Sequence, residues 1–208
     1  MASRYVSDMR DAIKAYQGKV TKARGMVDEV REAYGDEAAQ REENRQAKNL
    51  EAARATAEAA IRDAYSNGVY FARQWGQLNG SDLTDDAKLL DADLVDSQRF
   101  DELKAKYSGN YTMLTALKKY GDRKNQEAQQ AAFDKGDRAG SWGREPFNVR
   151  DIPTLEGRLE TWTQLKNGAV GLLDMLDGAK QYADPYMRGF RLHMGGKAVD
   201  SFGQGADV

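Results

Sequence analysis

The first proline of this chain is Pro146, so 145 residues run without the residue that most often breaks a helix. The side chains favour the same structure. Across the chain, 29 alanines and sixteen leucines stand against ten valines and three isoleucines. The expected fold class is all-α.

From Val6 to Tyr34 the apolar positions repeat in sevens. Val6, Ile13, Val20, Val27 and Tyr34 form one row, and Met9, Tyr16, Ala23 and Val30 the other, which puts a continuous stripe on one helix. Gly18 and Gly25 fall opposite it. Gly35 can end this helix in the left-handed conformation, and Asp36 can cap the next. The second helix is expected from about Asp36 to Leu78, with a stripe of Ala47, Leu50, Ala57, Ile61, Ala64, Phe71, Trp75 and Leu78, widened by Ala53 and Ala60. Its first half is polar enough to need a partner. Together the two predict a long antiparallel hairpin or coiled-coil arm over residues 1–79.

The charge then swings twice. Between Asn79 and Leu103 eight acids face Lys88 and Arg99, and from Lys104 to Lys124 six bases face only Asp122. Short helices are expected after Thr84, over Ser97–Tyr107 (Phe100, Leu103 and Tyr107 on one face) and after Asn110 (Met113, Leu114, Leu117 and Tyr120). Beyond Gly121, Asp122 to Lys135 is helix-compatible but offers little to bury except Phe133. The segmentation is a short-helix bundle at 80–135, a loop at 136–153, a C-terminal helix at 154–184 capped by Thr154, and an extended glycine-rich tail at 185–208. In the C-terminal helix Gly168 and Gly171 mark a kink or a close crossing.

Composition narrows the chemistry. Without cysteine there is no disulfide, iron–sulfur or thiolate zinc site. The single histidine, His193, does not supply the several imidazoles of most catalytic zinc sites. Gly195-Gly196-Lys197-Ala198 lacks the hydroxyl and glycine spacing of a phosphate loop. Asp91, Asp93 and Asp96 lack the glycine and glutamate of a calcium loop. Ser141 between Gly140 and Trp142 is not in a nucleophile elbow. His193 beside Asp200 and Ser201 reads as a surface or interface residue rather than a general base. No cofactor is expected. No run approaches the roughly 18 apolar residues of a membrane span, and Met1 to Arg10 lacks a signal peptide's apolar stretch. The expectation is a soluble intracellular protein, without a membrane partner.

Two short helices around the turn Ser108-Gly109-Asn110, the second carrying Lys118 and Lys119, fit a helix-turn-helix outline, with Lys118, Lys119, Arg123 and Lys124 as candidate phosphate contacts. No arginine or asparagine on the second helix's first turn is placed to read bases. The alternative is a bundle whose basic face pairs with the acidic segment beside it.

The stretches Phe100-Asp101-Glu102-Leu103-Lys104-Ala105-Lys106-Tyr107 and Asn110-Tyr111-Thr112-Met113-Leu114-Thr115-Ala116-Leu117-Lys118-Lys119-Tyr120 resemble segments of small helical phage and prophage proteins of the virion or head assembly. That resemblance implies a place in the virion or its assembly, and it carries over no functional residue. The leading expectation is a non-enzymatic structural or assembly protein. Its partners would be copies of itself or other virion proteins, met through the tail at Phe190 and Leu192 and through the seam (Ile13, Tyr16, Val20, Val27, Val30), which meets either the second helix or a second copy. The alternative is a DNA-associated module using residues 104–124.

Overall fold

A computed structural model of the protein describes residues 2–136, 145–178, 194–204 and 206. Every regular element among them is helical: α1 (Ala2–Tyr34), α2 (Asp36–Trp75), a 3-10 turn at Gly80–Asp82, α3 (Asp86–Asp91), α4 (Ser97–Lys106), α5 (Tyr111–Asp134) and α6 (Leu155–Gly178). A further helical stretch covers residues 194–201. The protein is all-α, as its sequence predicts. It divides into two units, Met1–Phe71 with Leu159–Val208, and Ala72–Arg158.

In the first unit α1 and α2 form an antiparallel hairpin. Gly35, at φ 81°, turns the chain. Its N–H closes α1 on the Arg31 carbonyl and its own carbonyl accepts from Ala39, so Gly35 rather than Asp36 caps α2. Asp36 and Glu37 instead occupy the first turn, where the helix dipole favours acids. Val6, Met9, Ile13, Tyr16, Val20, Ala23 and Val27 are all buried, so the heptad seam forms. It fades toward the turn: Val30 is half-buried and Tyr34 is 78% exposed, because α2 has no residue beyond Gly35 to lay over it.

On α2 the expected stripe is partly corrected. Leu50, Ala57, Ile61 and Ala64 are buried and Ala53 is half-buried, but Ala47 and Ala60 are exposed. The helix ends at Trp75, which leaves Leu78 outside it and exposed. Gln46 is buried in place of an apolar residue, and its amide donates to Glu42 at 2.6 Å and reaches the Met26 sulfur at 3.6 Å.

The C-terminal part of α6 completes this unit with Trp162, Leu165, Ala169, Leu173 and Leu176 buried. The close crossing is made at Gly68 rather than at Gly168 or Gly171. A Cβ on Gly68 would stand 2.5 Å from three atoms of the Trp162 ring, while Gly171 has nothing within 4 Å and Gly168 only Phe202 at 3.7 Å.

The tail departs most from expectation. Phe190, Leu192 and His193 lie outside the described residues, but residues 194–201 are helical rather than extended. Val199 and Phe202 are buried. Arg10 Nε donates to the Phe202 carbonyl at 3.1 Å, Lys14 pairs with Asp200 at 2.9 Å, and Gly203, at φ 70°, lies so close to Val6 that a Cβ would overlap it. Glycines read as a mark of an extended tail here permit close packing on α1.

The second unit has its own core of Leu90, Val95, Phe100, Leu103, Tyr107, Met113, Leu114, Leu117, Tyr120, Phe147, Val149 and Ile152. Asn110 caps α5, its side chain accepting from the Met113 N–H at 3.0 Å, and Asp96 caps α4 in the same way through Arg99. Gly121 does not interrupt α5. It is buried because Val149 and Phe100 occupy the space its Cβ would need, at 2.4 and 3.0 Å. Phe133, the residue expected to bury the end of α5, is 58% exposed, and Ala132 and Asn125 are buried instead. The segment read as a loop is only partly described, yet its residues Phe147, Val149 and Ile152 belong to the core. Asn125 holds it by bracketing Phe147, donating to its carbonyl at 2.8 Å and accepting from its N–H at 3.0 Å. Thr154 caps α6 as expected, accepting from Gly157 at 3.0 Å.

Because the crossing at Gly68 has no room for a methyl group, Gly68→Ala should lower stability by about 1–3 kcal/mol. Gly18→Ala, at an open helical position, should raise it by up to about 1 kcal/mol. Urea denaturation of the two variants beside the wild type reads both signs.

Candidate interaction site

Where α6 ends against the hairpin, the first unit carries a polar tie among its three helices. Arg54 of α2 pairs with Asp174 at 2.5 Å, with Glu58 at 2.8 Å, and with Asp177, whose other carboxylate oxygen accepts from the buried Tyr16 hydroxyl. Hydrogen bonds to Asp174 and Glu58 lead in holding the guanidinium protonated. Burial, followed by the bond to Asp177, raises the Tyr16 phenol above its usual range. The carboxylate of Asp177 makes a lock, because it finds Arg54 of α2 and the Tyr16 hydroxyl of α1 together only when the three helices are docked. Sequence patterning places Tyr16 on the seam but gives no sign of this partner set, since Asp174 and Asp177 lie more than a hundred residues from both Arg54 and Tyr16.

Beyond this tie, toward the Gly35 turn, lies an open surface groove. On one side of the hairpin Lys19, Lys22, Ala23, Met26, Arg45, Gln46, Asn49, Leu50, Ala52 and Ala53 line an open groove. Its floor is small or apolar and its rim carries three cations. Of the expected seam, Ile13, Tyr16, Val20 and Val27 are buried inside the unit. They hold α1 to its neighbours and are not surface that a second molecule could reach; only Val30 retains partial exposure.

In the second unit the basic segment meets the acidic one. Lys106 pairs with Asp86 at 2.6 Å, and Asp93 takes both Arg123 at 2.6 Å and Lys124 at 3.0 Å. Lys118 pairs with Asp122 at 3.1 Å on its own helix. Of the four candidate phosphate contacts only Lys119 has no ion pair among the described residues. Asp93 sits at φ 57°, after the end of α3, where Asp93 and Leu94 return N–H groups to Leu90 and Leu89. That left-handed turn aims its carboxylate at α5. The first turn of α5 is also occupied: Thr112, Met113 and Leu114 are buried, so the helix-turn-helix outline has no open reading edge there.

Comparison with family models, with curated proteins and with solved structures finds no match. Among the described residues no group of three or more His, Cys, Asp or Glu side chains is arranged to hold a metal, and no helix is long and apolar enough to cross a membrane.

Two expectations follow. Asp177→Ala removes the shared partner of Tyr16 and Arg54 and should cost about 1–3 kcal/mol of stability, read by urea denaturation. Asp86 and Asp93 have their carboxyl pKa lowered, first by hydrogen bonds to Lys106 and Arg123 respectively. Their ionised forms therefore favour the folded chain. That contribution is present above the ordinary aspartate range near about 4 and is lost as pH falls through the lowered folded values. Thermal melts from about pH 5 to pH 2 should show this loss, and Asp86→Asn with Asp93→Asn should make it smaller.

Proposed function

We propose that this protein is a non-enzymatic assembly subunit that works through helix-to-helix contact along the α1–α2 hairpin. The observation that carries the reading is the open groove between Lys19–Met26 and Arg45–Ala53. It runs between two antiparallel helices, with Ala23, Ala52 and Ala53 leaving room at its base, a shape that another helix fits. The finer setting, a phage virion or head-assembly component, rests on the resemblance of residues 100–120 alone. Docking by the tail is favoured less than the sequence suggests, since Val199 and Phe202 are already spent on this chain.

The DNA-associated alternative draws its support from the same cations that Asp93 and Asp122 hold. Releasing them to phosphates would strand those carboxylates, so the ion pairs favour the assembly reading.

Sedimentation velocity across micromolar concentrations tests it. Species larger than a monomer that grow with concentration are expected; a monomer throughout overturns the reading. In parallel, duplex DNA at physiological salt should not be retained. Salt-sensitive binding lost on Lys118→Ala with Lys119→Ala would favour the alternative.

A further inference from the structure

Charge on the hairpin is sorted by distance from its turn. Residues 12–27 of α1 carry Lys14, Lys19, Lys22 and Arg24 with no acid, and residues 44–50 of α2 carry Arg45 and Lys48 with no acid. Residues 28–43, around the turn, carry seven acids (Asp28, Glu29, Glu32, Asp36, Glu37, Glu42, Glu43) against Arg31 and Arg41. Because the two helices are antiparallel and turn at Gly35, α1 residues meet the α2 residues of the same zone, as Met26 meets Gln46. The fold therefore sets like largely beside like, a basic shaft and an acidic tip, and pairs only part of the shaft from within, Lys14 with Asp200 and Arg45 with Glu42 where the two zones meet. Some tip acids do find local bases, as in Asp28–Arg31 and Glu37–Arg41. Among the described residues, however, Lys19, Lys22 and Lys48 of the shaft and Glu29, Glu32 and Glu43 of the tip have no ion pair.

The open side of α1 shows how the two zones are presented. Ala12, Ala15, Lys19, Lys22, Met26, Glu29 and Ala33 follow one another at alternating steps of three and four, a second helical row beside the buried seam. Lys19, Lys22 and Glu29 on it are exposed and Met26 is half-buried in the groove. The facing row on α2, Glu42, Arg45, Asn49, Ala52 and Thr56, is small beyond Asn49 and gives a second helix room to approach.

We infer that the groove takes a second copy of this chain, its hairpin laid antiparallel along the first and related to it by a two-fold axis near Met26. This rests on the assembly reading and names its partner. Turning the row end for end about Met26 brings Glu29 of one copy beside Lys22 of the other and sets Lys19 opposite Ala33, next to Glu32, and the symmetry makes the same contacts twice. Exposed bases of the shaft then face exposed acids of the tip on both sides of the axis. Residues 20 and 30 are separated by roughly 15 Å at 1.5 Å rise per residue, more than the screening length of about 8 Å at physiological salt. Shaft and tip thus act as separate charges that a partner must match in order. A nucleic acid would suit the shaft and be repelled by the tip. A helix of uniform charge would meet the same conflict, whereas a reversed copy matches both zones.

Charge exchange tests this directly. Lys19→Glu with Lys22→Glu makes the row wholly acidic, and Glu29→Lys makes it wholly basic. All three positions are exposed, so circular dichroism should show each variant as helical as the wild type. Each alone should self-associate at least about tenfold more weakly than wild type, and an equimolar mixture should sediment as a mixed dimer with affinity restored. In this cysteine-free chain, Met26→Cys should also give a covalent dimer on mild oxidation, and Glu37→Cys, at the tip and away from the axis, should not. A wild type that self-associates while neither exchange weakens it would overturn the antiparallel pairing and leave the assembly reading standing. A wild type monomeric at every concentration would overturn both.

Discussion

The first unit depends on one absence, that of a side chain at position 68. Trp162 occupies the space where a Cβ would stand, and the largest residue of α6 thereby sinks to 1% exposure against α2. Shape alone fixes the register of α6 here. Once Trp162 is seated, Leu165, Ala169, Leu173 and Leu176 follow along the same face, and Asp174 and Asp177 arrive at Arg54 and Tyr16. Ion pairs that would count for little on an open surface become a condition of docking, because undocking would leave Tyr16 bonded to nothing and Arg54 with only Glu58.

What could be read from the sequence was whatever is encoded within a few turns. The heptad seam of α1, the caps at Asn110 and Thr154, and the apolar face of α4 follow from spacing and local hydrogen-bonding chemistry. Glycine was the main source of error, since its meaning depends on what lies opposite. Gly121 resembles a break and is a packing site for Val149; Gly203 resembles flexible tail and is a packing site for Val6. Phe147, Val149 and Ile152 looked like loop because they lack periodicity, and they are core because Asn125 pins their backbone from α5. The candidate surface was half legible: the polar start of α2 signalled a need for a partner. The seam residues first put forward for that contact turned out to be consumed inside the unit.

Electrostatics divides the two units by strategy. In the second, opposite charges adjacent in sequence fold onto one another, and Asp93 accepts a left-handed backbone so that one carboxylate can serve two bases of α5. In the hairpin most of the opposite charges sit on the same helices at different heights, with local pairs such as Asp28–Arg31 and Arg45–Glu42 between them. The first arrangement settles its charge internally; the second leaves Lys19, Lys22, Glu29 and Glu43 exposed among the described residues.

The hydrogen bond from Arg10 to the Phe202 carbonyl spans a sequence separation of 192 residues. On a ribosome adding about 5–20 residues per second, roughly ten to forty seconds pass between the emergence of its two partners. Throughout that interval Val6 and its neighbours on α1 lack the cover that Val199, Phe202 and Gly203 later provide. A nascent hairpin thus keeps that face uncovered, and closure of the first unit waits for the emergence of residues 199–203.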